Sequence, residues 1–238
     1  MLRLTVYEGP SPQSIIEPPE FTLYADGRAI YAVKFRARDE LRPSFELHLA
    51  QLSNEQLNAL VADALGPGGL RDARAEYDIR GVIHREWNYF DVHAEGIDKE
   101  VRVFGLDYEP APDAAERAKF AGLAARLLNV PAEVDAGRAA YGGRFQPTAY
   151  DAFLNPGGPA DHLPVSADWP WPDLEPVDFG REPDGTIVRR LTQLQGEAVI
   201  DLGIDEYVIA EAPDGETYSI RIRPLLPDEA AKPGPVWE

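Results

Sequence analysis

Hydrophobic and polar positions alternate along several short stretches of this chain. In residues 20–31, "EFTLYADGRAIY", Phe21 and Leu23 alternate with Thr22 and Tyr24. Beyond Asp26-Gly27, Ile30 and Ala32 alternate with Tyr31, Val33 and Phe35. Period-two patterning about an Asp-Gly predicts a hairpin, because glycine takes positive φ at low steric cost. Asp26 therefore reads as a turn residue and not as a working carboxylate. Residues 87–106, "WNYFDVHAEGIDKEVRVFGL", predict a second hairpin turning near Gly96-Ile97-Asp98, and residues 206–224 a third turning at Pro213-Asp214-Gly215. In its last arm Tyr218, Ile220 and Ile222 share one face and Thr217, Ser219, Arg221 and Arg223 the other, as in a strand with one wet side. "FELHLA" (45–50) predicts a strand with Phe45, Leu47 and Leu49 inward and Glu46 and His48 outward. Asp184-Gly185 marks the opening of a further strand.

Two stretches carry the helical period. Ser53 followed by Gln56 makes a capping box before the apolar stripe Leu57, Leu60, Val61, Ala64 and Leu65, and Gly66-Pro67 ends it. Asp113 with Glu116 reads as a second cap, Phe120, Leu123, Ala124, Leu127 and Leu128 as the buried face, and Pro131 as the end of that helical region. Within 190–202 helix and strand patterns compete. The hairpin–helix order of residues 20–65 recurs over 87–128, without enough identity to define a repeat.

These elements predict an α+β fold: antiparallel hairpins forming one or two sheets, with two main helices packed on one face. Residues 1–154 read as the α+β domain. Residues 155–185 are rich in proline but carry Trp169, Trp171 and Phe179, too apolar for a free linker; they read as a surface segment anchored by both indoles. Residues 186–238 form a C-terminal hairpin region that can join the same sheet.

Composition narrows the chemistry. The chain has 238 residues, no cysteine and a formal net charge of −18. Thiol nucleophiles, zinc–thiolate sites and iron–sulfur clusters are excluded. Phosphate backbones and anionic lipid are repelled, so no nucleic-acid partner is expected. No apolar run reaches the length of about 18 residues that spans a bilayer, so no membrane insertion is expected. "MLRLTVYEGPSPQ" lacks the apolar core of a signal peptide.

No serine-hydrolase elbow, phosphate loop, dinucleotide fingerprint, zinc helix or EF-hand loop is present. The histidines are His48, His84, His93 and His162. Asp91 and His93 lie two apart on one strand face, where a carboxylate could orient an imidazole. That pair and the indoles Trp169 and Trp171 are the candidate site residues. Asp168, Asp173, Glu175 and Asp178 could supply some oxygens to calcium, but their spacing matches no defined loop. No cofactor is expected. The chain reads as a non-enzymatic binding or interaction protein with a protein partner. The alternative is a hydrolase or carbohydrate-active enzyme whose carboxylates converge only in three dimensions.

"PEFTLYADGRAIY", "LSNEQLNALVADALGPGGL" and "RIRPLLPDE" together resemble an uncharacterised family of bacterial proteins, often secreted or lipid-anchored. The resemblance covers the first 70 residues and the last 20 well, and the middle loosely. It implies an extracytoplasmic setting and supplies no catalytic residue.

Overall fold

The computed structural model describes residues 1–8, 17–35, 44–79, 81–82, 85–108, 110–156, 167–181, 186–202 and 208–232. His84, His162, Asp184-Gly185 and residues 157–166 of the proline-rich stretch lie outside them. The fold is α+β, with two sheets. The chain divides into two compact units: Met1–Ile15, Pro19–Phe35 and Phe45–Phe145 form one, and Ile16–Pro18, Arg36–Ser44 and Gln146–Glu238 the other.

The first unit holds strands β1 (Leu2–Glu8), β2 (Phe21–Leu23), β3 (Arg28–Phe35), β4 (Ser44–Gln51), β5 (Glu76–Tyr77), β6 (Glu86–Ala94), β7 (Ile97–Phe104) and β8 (Ala140–Arg144), and helices α1 (Asn54–Leu65), α2 (Ala114–Leu127) and α3 (Val130–Asp135). The strand order is β5-β7-β6-β1-β2-β3-β4-β8. Register aligns Leu4 with Phe21 and Phe90, and Phe90 with Val101, so one pleat face carries the apolar set. Those residues share one buried cluster with Ala64 and Leu65 of α1 and Phe120, Leu123 and Leu127 of α2. Phe120 meets the Tyr77 ring edge-on, with centroids 5.0 Å apart.

Several sequence expectations hold at the level of single hydrogen bonds. In the first hairpin Gly27 N–H donates to Tyr24 O (3.1 Å) and Tyr24 N–H to Arg28 O (2.8 Å). Asp26 Oδ1 accepts from Arg28 N–H at 3.1 Å. Bonding to the Arg28 backbone and side chain holds the Asp26 carboxyl below its ordinary value. The α1 capping box forms in both directions: Gln56 N–H to Ser53 Oγ (3.2 Å) and Ser53 N–H to Gln56 Oε1 (2.9 Å).

Others are corrected. The second hairpin turns at Glu95-Gly96, two residues with φ of 51° and 75°, so Asp98 lies within β7. Two consecutive positive φ values match the twist of the flanking strands. Asp113 stands at the start of α2 but makes no side-chain cap bond. Its carboxylate meets Arg117 Nε at 2.6 Å and Arg74 Nη2 at 2.7 Å, and a charged fork outcompetes a helix N–H. Pro131 does not end the helical region. It sits in the first turn of α3, where its missing N–H costs nothing.

The second unit holds β9 (Ala149–Pro156), β10 (Ala167–Asp168), a single 3₁₀ turn (Pro176–Asp178), β11 (Gly180–Arg181), β12 (Ile187–Thr192), α4 (Gln193–Ile200), β13 (Val208–Glu211), β14 (Thr217–Pro224) and α5 (Pro227–Ala230). Its strand order is β10-β13-β14-β9-β12-β11. β9, which runs across the compositional boundary at 154/155, pairs with both β12 and β14. The competing patterns in 190–202 are a strand and a helix abutting at Thr192. Thr192 Oγ1 accepts from Gln195 N–H at 3.4 Å, and Gln195 Oε1 from Thr192 N–H at 3.0 Å.

Candidate functional site

Asp91 and His93 both lie on β6, but they do not form the pair their spacing suggested. His93 Nδ1 meets Asp98 Oδ1 at 2.7 Å, directly across the hairpin, and both side chains are exposed. Asp91 is half-buried opposite Arg3 of β1 and Glu100 of β7. An exposed ion pair beside a hairpin turn is worth little.

Trp169 and Trp171 lie in the apolar cluster of the second unit. Their rings meet edge-on with centroids 5.2 Å apart, and Trp171 also packs on Phe179 at 5.5 Å. Each indole N–H finds a carbonyl: Trp169 Nε1 donates to Leu174 O at 2.7 Å and Trp171 Nε1 to Gln195 O at 2.8 Å. Trp171 is 1 % exposed. A satisfied, fully buried indole is a packing group. Asp168, Asp173, Glu175 and Asp178 are exposed; Asp178 Oδ2 accepts from Glu175 N–H at 2.8 Å. Among the described residues no three His, Asp or Glu side chains gather where they could hold a metal ion.

The constellation that the strands do assemble lies on β3, β4 and β8. Among the described strands β8 ends the sheet, pairing with β4, and the register slips between Leu49 and Ala50. Gly142 and Gly143 make that slip possible. A Cβ on Gly142 would stand 2.9 Å from Leu49 Cβ, and Gly143 has φ of 92°. Such a bulge re-aims the neighbouring side chain. Tyr141 sits opposite Ala50 yet places its hydroxyl 3.0 Å from His48 Nδ1. His48 Nε2 lies 3.2 Å from Glu46 Oε2. Arg144 Nε donates to the same oxygen at 2.9 Å, and its Nη2 bonds Glu46 Oε1. The imidazole lies between two phenol rings, with centroids 5.7 Å from Tyr31 and 5.8 Å from Tyr141.

The order of groups is hydroxyl, imidazole, carboxylate, guanidinium. Glu46 accepts from Nε2–H, which leaves Nδ1 of the neutral ring as acceptor for the Tyr141 O–H. Burial raises the Tyr31 hydroxyl pKa, and the nearby Tyr141 and Asp135 of α3 add to it. Tyr31 is buried, whereas Tyr141 is 56 % exposed. The arrangement fixes an aromatic ring at the sheet's end with its outer side in solvent. Sequence reading placed His48 on an outward strand face but missed Tyr31, Tyr141 and Arg144. The available signal was Gly142-Gly143 directly after a tyrosine, since glycine inside a strand marks a bulge.

A second ring set, Tyr7, Trp87, Tyr89 and Phe104, lines the other pleat face of β1, β6 and β7. Tyr89 and Phe104 are buried there. No family model, curated protein or solved structure matches the chain. Among the described residues no helix is long and apolar enough to cross a membrane.

Proposed function

We propose that the protein is a non-enzymatic binding protein whose partner lays an extended, basic segment along β8. The observation that carries this reading is Tyr141: a large ring, 56 % exposed, held in place by His48 on the last strand of a sheet. Tyrosine anchors dominate protein interfaces when they are held rigid before binding. A terminal strand offers backbone groups to an added strand. The net charge of −18 favours encounter with a cationic partner. A lysine or arginine of that partner can lie over the Tyr141 ring. Several carboxylates are tied to arginines: Glu46 with Arg144, Asp113 with Arg117, Glu133 with Arg138, Glu229 with Arg223. A carboxylate held by a guanidinium suits a structural role better than acid–base chemistry.

Two finer readings belong to the same proposal. α1 and α2 pack together on one face of the first sheet, supported by their shared cluster with Leu4, Phe90 and Val101. The resemblance carried by "PEFTLYADGRAIY" and "RIRPLLPDE" supports an extracytoplasmic setting.

Calorimetric titration with a blocked peptide of alternating lysine and valine tests the binding reading. Saturable binding is expected, weakened at least about tenfold by Tyr141→Ala, and weak for the glutamate–valine counterpart. Equal binding to wild type and Tyr141→Ala would overturn it.

A further inference from the structure

Resting on that binding reading, we infer that His48 is a pH switch on β8: its protonation reverses the hydrogen-bonding role of the Tyr141 hydroxyl and releases the basic partner. With His48 neutral, Glu46 holds Nε2–H, and Tyr141 donates its O–H to Nδ1 across 3.0 Å. The phenol oxygen then shows the partner only lone pairs, and a donated O–H leaves the ring electron-rich. Both features suit a cation over the ring.

Protonation makes both ring nitrogens donors. Nε2–H still bonds Glu46. Nδ1–H now donates to the Tyr141 oxygen, so the phenol O–H must turn outward and offers a donor. No bond is broken: one proton is taken from solvent, and one hydrogen bond reverses direction. The new positive charge lies beside the ring on which the partner's cation rests.

The groups facing His48 permit this. β3 contributes Tyr31, a neutral phenol. From β4 comes Glu46, whose carboxylate meets both the His48 ring and the Arg144 guanidinium of β8. One carboxylate balances one of these cations, so a protonated His48 leaves the cluster with a net positive charge beside Tyr141. α3 presents Asp135, whose field reaches Tyr31. Histidine is the side chain that ordinarily changes charge between about pH 5 and 8. The lysines of the peptide do not titrate there.

The intact protein is titrated with the lysine–valine peptide from about pH 5.5 to 7.5, while ¹³C-labelled tyrosine spectra of the free protein are followed over the same range. Wild type is expected to bind roughly tenfold more weakly at the acid end. His48→Gln, which carries no titrating group, should show a flat pH profile whatever its affinity. The Tyr141 ring carbons should shift in a single step in wild type and stay still in His48→Gln. Tyr141→Phe keeps the ring without the reversing hydroxyl and should lose part of the slope. An unchanged slope in His48→Gln, or a Tyr141 signal that ignores pH, overturns the switch. Tyr141-dependent but pH-independent binding overturns the switch alone and leaves the binding reading standing. A stepped Tyr141 signal without peptide binding removes the basic partner and keeps the hydroxyl reversal.

Discussion

Gly27 and Gly215 occupy the same place in two hairpins. Their φ angles are 80° and 84°. In both, an aspartate just before the glycine accepts from the N–H two residues on: Asp26 from Arg28 and Asp214 from Glu216. Their surroundings differ. A Cβ at Gly27 would stand 2.7 Å from Leu52 O and from Gln51 Nε2, while one at Gly215 meets nothing within 4 Å. Valine at either site pays for positive φ, about 1–3 kcal/mol. Gly27→Val should therefore lower the urea midpoint more than Gly215→Val; equal shifts would show that the backbone contact at Leu52 is not felt. Arg117 is the other decisive residue. It is 2 % exposed and binds Phe104 O at 2.5 Å, Tyr77 O at 3.0 Å, Gly105 O at 3.1 Å and the Asp113 carboxylate at 2.6 Å. Arg117→Met removes the buried donor shared by three carbonyls and Asp113 Oδ1, leaving Asp113 to Arg74, and should cost about 3–5 kcal/mol by denaturant unfolding. Burial raises the Asp113 carboxyl pKa, but bonding to Arg117, its own backbone and the charge of Arg74 outweigh this, so its net pKa is low. A native pKa below the unfolded one contributes stability that is complete above the unfolded value and disappears as pH falls through the native value. Stability should thus decline on acidification below about pH 4, and Asp113→Asn should flatten that decline.

At the scale of elements, α1 and α4 begin with the same device. Ser53 with Gln56 and Thr192 with Gln195 each close a reciprocal capping box. Ser53→Ala and Thr192→Ala should each cost about 1 kcal/mol; an unchanged midpoint in either would mean that the box is not formed in solution. α4 adds a constraint of its own. A Cβ on Gly196 would lie 2.1 Å from the Tyr150 ring. Gly196→Ala should destabilise by about 1–3 kcal/mol through overpacking, although alanine is the better helix former. What could be read from sequence follows this division between local and distant. Hairpins and the α1 cap are decided by neighbours within five residues, so their patterns were visible. Residues 190–202 looked ambiguous because β12 runs into α4 with no loop between them. The Asp113 cap failed because its competing partners include Arg74, thirty-nine residues away. The candidate site was nearly invisible: His48 and Tyr141 are 93 residues apart, and only the β4–β8 pairing brings them together.

For the molecule as a whole, a net charge of −18 coexists with exposed ion pairs such as Arg138–Glu133 and Arg144–Glu46, because acids far outnumber lysines and arginines, 41 to 23. That surface steers cations at long range without choosing where they dock. The site is chosen by Tyr141 on β8, and hydrogen–deuterium exchange with and without the lysine–valine peptide tests that choice most directly. The account predicts slowed exchange concentrated in residues 140–144 and lost in Tyr141→Ala. Slowed exchange spread over the acidic surface, or centred in the second unit, would contradict it.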